Sequence, residues 1–165
     1  MTEPTPVTVS VSGLVTEFRP GGTSSANLTT TEIAGPTIAV LSTGNPLPAA
    51  TILGLGGRTL PTAVIDDDSF GAFDPANDGI DFFETVEGMR VQVNNPVVVG
   101  PRNSNGEVWT LADDGAGASV RTNRGGIVIR DLDPEPAGDY ASGDFNPERI
   151  QLDDAAGTPT PNVHV

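Results

Sequence analysis

The chain has 165 residues, of which 36% are hydrophobic and 18% charged, and it contains 20 glycines and 15 prolines. This composition is typical of one folded, turn-rich domain and excludes a disordered chain. The net charge is −14, all 8 cations are arginine and cysteine is absent, which excludes disulfides, thiolate metal sites and cysteine nucleophiles.

The first predicted element is a long strand with the sequence VTVSVSGLVTEF, residues 7–18. Its valines alternate with polar residues, as in a half-buried strand, and the apolar phase changes after Gly13. A glycine at a phase change predicts a bulge that bends the strand, and two short strands with a turn at Gly13 are the alternative. The segments LTTTEI and PTIAVLSTG predict two further strands, which would complete a three-stranded meander.

The middle of the chain predicts a long irregular excursion over residues 45–68, followed by a short helix capped by Asp81. After the helix, MRVQVNNPVVVG predicts two strands separated by a kink. The Asn105-Gly106 pair then predicts a hairpin into a strand that carries Trp109. The segments GGIVIR and ERIQL predict the last two strands.

Three strands, a short helix and a hairpin follow one another in this order in an oligonucleotide/oligosaccharide-binding barrel. We therefore predict a mainly β fold, specifically an OB-fold-like Greek-key barrel with one short helix and long loop insertions. The barrel is predicted over residues 7–154, between an N-terminal tail (1–6) and a C-terminal linker (155–165). An immunoglobulin-like sandwich is the alternative, although that fold does not require a helix in mid-chain.

Few residues are suited to catalysis. The single histidine, His164, lies one residue from the end of the sequence, which disfavours histidine general-base chemistry and a histidine zinc site. No phosphate-binding glycine loop, G-x-S-x-G elbow or H-E-x-x-H motif is present. In a chain with 22 acids, carboxylate pairs at glycosidase spacing are expected by chance. We therefore predict that the chain is not an enzyme.

Acidic residues are concentrated between residues 66 and 81. Asp74, Asp78 and Gly79 match three positions of an EF-hand loop, but Thr85 stands where the bidentate glutamate belongs. A different cage of oxygen ligands for calcium is one interpretation, and solvated loop acids with a helix cap is the other. The candidate metal ligands are Asp66, Asp67, Asp68, Asp74, Asp78 and Asp81. No cofactor is required by the sequence, and Ca²⁺ is the ion that this cluster would bind.

Positive charge without neighbouring acids occurs in the segment SVRTNRGGIVIR. Its arginines, Arg121, Arg124 and Arg130, are candidate contacts to nucleic-acid phosphates, and Trp109 is a candidate stacking platform for bases. The negative net charge opposes such binding. The alternative is that Trp109 packs in the core and that the arginines pair with nearby carboxylates.

Several segments together resemble a known family. They are VSGLVTEFRPGG, LTTTEI, VLSTGNPLP, FDPANDGIDFFETVEGMRVQVNNPVVVG, GEVWTLAD, RGGIVIR and GDFNPERIQLDD. They resemble the OB-fold domain that precedes the catalytic domain in large bacterial extracellular nucleases of the endonuclease/exonuclease/phosphatase family. The resemblance covers about residues 7–154.

The resemblance implies a noncatalytic module of a secreted, metal-dependent nuclease, and we expect this module to be a monomer. Such a module would help to bind the substrate, DNA or RNA, or would orient a downstream catalytic domain of the same chain. The catalytic residues of that family lie in the downstream domain, so none is assigned here. No membrane contact is expected, and a secretion signal would have been removed from this sequence. The alternative is a calcium-stabilised structural spacer that binds no nucleic acid.

Overall fold

A computed structural model gives the fold of residues 5–25, 28–68, 71–104, 106–128 and 145–153. The chain is mainly β, with 36% strand and 7% helix, as the sequence predicts. The strands of these residues do not close into a barrel. The chain forms two compact units, Met1–Ala49 and Ala50–Val165. The single domain over residues 7–154 stays a prediction. Within the same residues, no helix has the length and apolar character needed to span a bilayer.

The first unit is a two-stranded antiparallel ribbon. Strand β1 (Val7–Phe18) pairs with β2 (Thr30–Thr43) along almost its whole length. The predicted three-stranded meander is wrong, because β2 continues through Pro36 as one strand. The proline is accommodated because it lies at a register irregularity, opposite the stretch of β1 between Ser12 and Leu14, where a missing backbone donor is tolerated.

The predicted bulge at Gly13 is confirmed, but the extra residue belongs to the partner strand. A Cβ atom at Gly13 would lie 2.5 Å from Cγ2 of Ile33 and 2.8 Å from the carbonyl oxygen of Ala34. Glycine is therefore needed for the two strands to approach this closely. At a second irregularity, Leu41 is the extra residue and again lies on β2. Strand β1 thus keeps an unbroken alternation of its side chains.

The second unit contains two small sheets. In one, β3 (Thr51–Leu53) runs parallel to β4 (Val91–Val93); the other is antiparallel, with the order β5 (Val97–Val98), β6 (Val108–Leu111), β7 (Ile150–Leu152). The predicted hairpin and the strand in ERIQL are confirmed. The interpretation of residues 45–68 as wholly irregular is wrong, because β3 lies within them.

One predicted strand, GGIVIR, is only partly covered by the described residues. Up to Val128, these residues show an isolated bridge between Arg121 and Ile127 and no strand. The rest of that segment, residues 1–4 of the predicted tail (1–6) and the whole predicted linker (155–165) lie outside the described residues.

Helix α1 (Gly79–Glu84) begins earlier than the sequence predicts, after Asp78. The predicted cap by Asp81 is therefore wrong. The backbone N–H of Gly79 donates to the carbonyl oxygen of Val64 at 3.2 Å, and that of Ile80 donates to the carbonyl oxygen of Ile65 at 3.1 Å. A neighbouring backbone segment thus satisfies first-turn donors that a capping side chain would otherwise take.

The core of the second unit forms around the helix. Its buried members are Leu53, Leu60, Phe82, Val86, Ala112 and Ile150. Phe83 packs edge-on against Phe82, with ring centroids 5.4 Å apart. The Arg58 guanidinium also lies over the Phe82 ring, 5.1 Å from its centroid, and donates to the carbonyl oxygen of Thr85 at 3.2 Å. The core therefore fixes α1 against both small sheets.

Replacing Leu53 by alanine should destabilise this core. Leu53 is 2% exposed and packs in the cluster that contains Phe82, so the change leaves a cavity and should cost about 2–5 kcal/mol of unfolding free energy. The measurement is urea unfolding followed by circular dichroism. Leu55→Ala is the matched control, because Leu55 is 70% exposed; equal effects of the two changes would contradict this core.

Candidate metal centre

The acidic segment is brought to the helix by backbone contacts. Residues Val64 and Asp78 form a parallel β-bridge, next to the hydrogen bonds from Gly79 and Ile80 described above. The chain after Val64 therefore runs beside the start of α1. This places Asp66 close to Asp78, although the two are separated by a long loop.

Three carboxylates meet at this point. One oxygen atom each of Asp66, Asp68 and Asp78 lies within 4.8 Å of the others. Ligands on opposite sides of a Ca²⁺ ion are separated by roughly 5 Å, since each Ca–O distance is about 2.3–2.6 Å. The spacing of the three oxygens therefore suits a single cation between them.

Asp78 is the most unusual of the three. It occupies the N-cap position, where aspartate normally accepts a bond from the first turn, yet its side chain makes no capping hydrogen bond to the helix. It is 2% exposed, and within the described part of the chain no donor reaches its buried Oδ1. A buried carboxylate oxygen without a partner is costly and calls for a bound ion or water.

The environment of Asp78 opposes its ionisation. Burial raises the pKa of the Asp78 carboxyl above its ordinary 3.8. The negative charges of Asp67, Asp66, Asp81 and Asp74 raise this pKa further, in that order of size. A divalent cation would lower this pKa, because its positive charge favours the ionised form of the carboxyl.

Asp68 is held in place by its own loop. Its Oδ1 accepts a hydrogen bond from the Gly71 N–H at 2.7 Å, and its Oδ2 accepts one from the Ala72 N–H at 2.6 Å. Each carboxylate oxygen has a further lone pair, so these bonds orient Asp68 without using up its capacity to bind a cation. Its exposed position leaves room for water on that side.

The other three predicted ligands lie outside the three-oxygen cluster. Oδ2 of Asp81 accepts from the Asp74 N–H at 2.6 Å, and Oδ2 of Asp74 accepts from Nδ2 of Asn77 at 2.7 Å. These two carboxylates thus shape the loop that leads into α1. Asp67 is exposed and contributes negative charge. Of the six acids, the structure groups Asp66, Asp68 and Asp78.

Among the predicted nucleic-acid residues that the structure describes, Arg121 is held within its own loop. The Arg121 guanidinium donates to the carbonyl oxygens of Gly125 at 2.6 Å and Asp114 at 2.9 Å, so it closes a turn. Arg124 is exposed. Arg130 lies outside the described residues.

Trp109, the predicted stacking platform, is 38% exposed on β6. The Arg149 guanidinium lies over its ring, 5.0 Å from the centroid. Nε and Nη2 of Arg149 are in turn held by the carbonyl oxygens of Asn146 and Phe145. The structure thus shows an arginine–tryptophan pair that the sequence pattern does not indicate.

Sequence reasoning also missed Glu148. Its Oε1 accepts from the N–H of Ser119 at 2.9 Å and from the Ser119 hydroxyl at 3.1 Å, while its buried Oε2 has no partner among the described residues. Glu148 lines a cavity of about 90 Å³ together with Leu60, Leu111 and Asp113. Nothing in the sequence marks it, because it is one acid among 22 and Ser119 is remote along the chain.

The Asp78 pKa predicts a pH-dependent loss of stability when divalent cations are removed. Well below pH 3.8, the ordinary pKa of aspartate, the carboxyl is protonated in both states. As the pH rises, the unfolded chain ionises first, so stability falls until the pH passes the higher folded pKa. Asp78→Asn stays neutral and should lack this loss. The measurement is chelator-treated unfolding free energy against pH.

The matched control for this prediction is Glu87→Gln, which removes an exposed acid that does not act on the Asp78 pKa. It should follow the wild-type pH profile. If the Asp78→Asn and wild-type profiles were parallel, Asp78 would not be a strained carboxylate.

Comparison with known proteins reveals a family without assigning a function. Neither the curated proteins nor the solved structures include a significant match to this chain. The family model described as "Domain of unknown function (DUF8508)" matches residues 52–165, which is more than half of the chain. The matched region contains α1 and all three clustered aspartates, while the ribbon lies before it. The chain therefore belongs to the DUF8508 family.

Proposed function

We propose that the second unit is a noncatalytic domain whose fold is stabilised by a divalent cation, Ca²⁺, bound by Asp66, Asp68 and Asp78. The observation that carries this proposal is the buried Oδ1 of Asp78, which lacks a hydrogen-bond partner among the described residues and belongs to a cluster of three carboxylates. A cation at the centre of the cluster satisfies that oxygen and removes the mutual repulsion.

Cation binding would stabilise the fold because the ligands come from different parts of the chain. Asp66 and Asp68 lie on the segment that bonds to the start of α1, and Asp78 directly precedes the helix. An ion shared by the three fastens this segment to the helix, and Phe82 of the helix is part of the core. A site of this kind exists in the folded state alone, so its binding free energy adds to folding stability.

The ligand chemistry favours calcium. All three side chains offer carboxylate oxygens, the ligands preferred by hard cations, whereas zinc sites use nitrogen and sulfur. Ca²⁺ takes six to eight oxygens in flexible geometry, and Mg²⁺ requires a near-ideal octahedron. Three carboxylates leave several positions to water or to backbone carbonyls, which the exposed side of Asp68 permits.

Calcium should raise the melting temperature of the wild-type chain. At a concentration 100-fold above Kd, the added stability is about 2.7 kcal/mol, which corresponds to a shift of roughly 5–10 °C for a chain of this size. The measurement is differential scanning calorimetry in calcium, in magnesium and in chelator. Asp66→Asn and Asp78→Asn should abolish the calcium shift.

Asp67→Asn is the matched control for this experiment. It removes the same charge from the same segment but leaves the three-oxygen cluster intact, so it should keep most of the calcium shift. A wild-type melting temperature that is identical in calcium and in chelator would contradict the proposal. If Asp67→Asn and Asp66→Asn reduced the calcium shift equally, calcium would be acting on the overall negative charge and not at a site formed by these three carboxylates.

A second candidate function is the OB-fold-like, nucleic-acid-binding module of a secreted nuclease, as the sequence resemblance implies. The observation that favours it is the half-exposed Trp109 ring with the Arg149 guanidinium stacked on it. Aromatic rings and arginine planes are the surfaces on which the bases of single strands stack. Its proposed partners are DNA or RNA and a downstream catalytic domain.

This second candidate predicts salt-sensitive binding of single-stranded DNA, measured by fluorescence anisotropy of a labelled oligonucleotide at low salt. Trp109→Ala should weaken binding, since base–aromatic stacking is worth about 1–3 kcal/mol. Arg124→Ala should lower the salt dependence if it contacts a phosphate. The exposed Phe73 provides the control Phe73→Ala, and an unchanged anisotropy for wild type would remove this candidate.

A further inference from the structure

The ribbon exposes an unusual amount of apolar surface. Of the 18 large hydrophobic side chains that are exposed among the described residues, 12 lie in the first unit. Seven of these twelve side chains form one apolar face, which we call the valine face. Its members are Val7, Val9, Val11 and Val15 of β1 with Ile33, Ile38 and Val40 of β2. These seven side chains are 39–65% exposed.

The valine face follows from strand register. Val9 lies opposite Val40, and Val11 lies opposite Ile38. Because β1 alternates without interruption, its odd-numbered residues share one side of the ribbon. The next apolar pair on that side is Val15 with Ile33. The even-numbered residues of the first half of β1 are Thr8, Ser10 and Ser12, so the ribbon has one apolar and one mainly polar face there.

A ribbon of this kind is not expected to remain uncovered. An isolated two-stranded hairpin is at best marginally stable in water, and an apolar face needs another layer to pack on. Charged residues, which commonly protect exposed strands from association, are scarce here. Glu17 and Glu32 are the charged residues of the two strands.

Charge indicates which occupant suits the face. The first unit carries three glutamates and one arginine, so it contributes only −2 to the net charge of −14. With Arg19 as its one cation, the unit lacks the basic residues by which peripheral proteins bind anionic lipid. The ribbon is instead the part of this acidic chain where a second copy meets the least electrostatic repulsion.

The shape of the face is also self-complementary. Its side chains are all β-branched and similar in size, and such rows interdigitate when two sheets pack about 10 Å apart. We propose that the valine face is covered by the valine face of a second copy of this chain, so that two ribbons form a small two-layered β-sandwich. This proposal is independent of the metal site.

The size of the face sets the expected strength of the dimer. Twelve residues at about 3.3 Å and two strands about 4.8 Å apart give a flat area of roughly 400 Å² per face. Two faces together cover roughly 800 Å², below the 1,200–2,000 Å² of stable interfaces. The dimer should therefore be weak and should dissociate on dilution.

The test is sedimentation velocity of the full chain over a series of concentrations and NaCl concentrations. Wild type should shift from monomer to dimer with rising concentration. Salt should increase the dimer fraction, because it screens the repulsion between two chains of charge −14. A monomer at every concentration, or a dimer that salt dissociates, would overturn the proposal.

A matched pair of variants assigns the face. Val11→Glu places a charge on the valine face and should abolish the dimer, while Ser12→Glu places the same charge on the opposite face and should leave it intact. Equal effects would overturn the proposal. If Val11→Glu loses its strand signal in circular dichroism, Val11→Thr/Ile38→Thr decides: weaker association upholds the proposal and unchanged association overturns it.

Discussion

The two hydrogen bonds that the first turn of α1 donates to a neighbouring segment organise the second unit. They join the N–H groups of Gly79 and Ile80 to the carbonyl oxygens of Val64 and Ile65. Because backbone groups satisfy these donors, the side chain of Asp78 is released from the capping role. The same bonds bring Asp66 beside Asp78, and they set the start of the helix whose Phe82 enters the core.

The acidic cluster shows how a fold can hold like charges together. The backbone bonds fix Asp66 and Asp78 through their main chains, and Asp68 is oriented by the N–H groups of Gly71 and Ala72. None of these constraints depends on attraction between the carboxylates, which repel one another. The repulsion and the burial of Asp78 are therefore costs that the surrounding structure sustains, and preorganised sites for cations are built in this way.

The two units differ in how far they bury their apolar side chains. In the second unit, Leu53, Phe82 and Ile150 come from distant parts of the chain and bury one another. The ribbon has two long strands whose side chains remain largely exposed. The contacts that hold it together are those of its backbone ladder, and an isolated two-stranded ribbon is marginally stable in water. The two units also differ in charge, because most acidic residues lie in the second unit, which has its own core.

How far the sequence could predict the fold depended on the range of the interactions. Strand β1, the hairpin between β5 and β6, and β7 were predictable, because alternating apolar residues and an Asn-Gly turn are local signals. Strand β3 was not, since three residues carry little pattern and its partner β4 lies far along the chain. Pro36 suggested a boundary between two strands, but a bulge accommodates it within β2.

The sequence by itself determined a β-rich, acidic chain with an aspartate-rich segment and few residues suited to catalysis. It could name six candidate ligands for a cation, but it could not select among them. That selection required the tertiary structure, because carboxylates separated along the chain approach one another only through the backbone bonds at the start of α1. Tertiary structure likewise decided that Asp78 is buried and that Arg121 closes a turn. Burial and partner choice are properties of the packed chain, and a local pattern does not encode them.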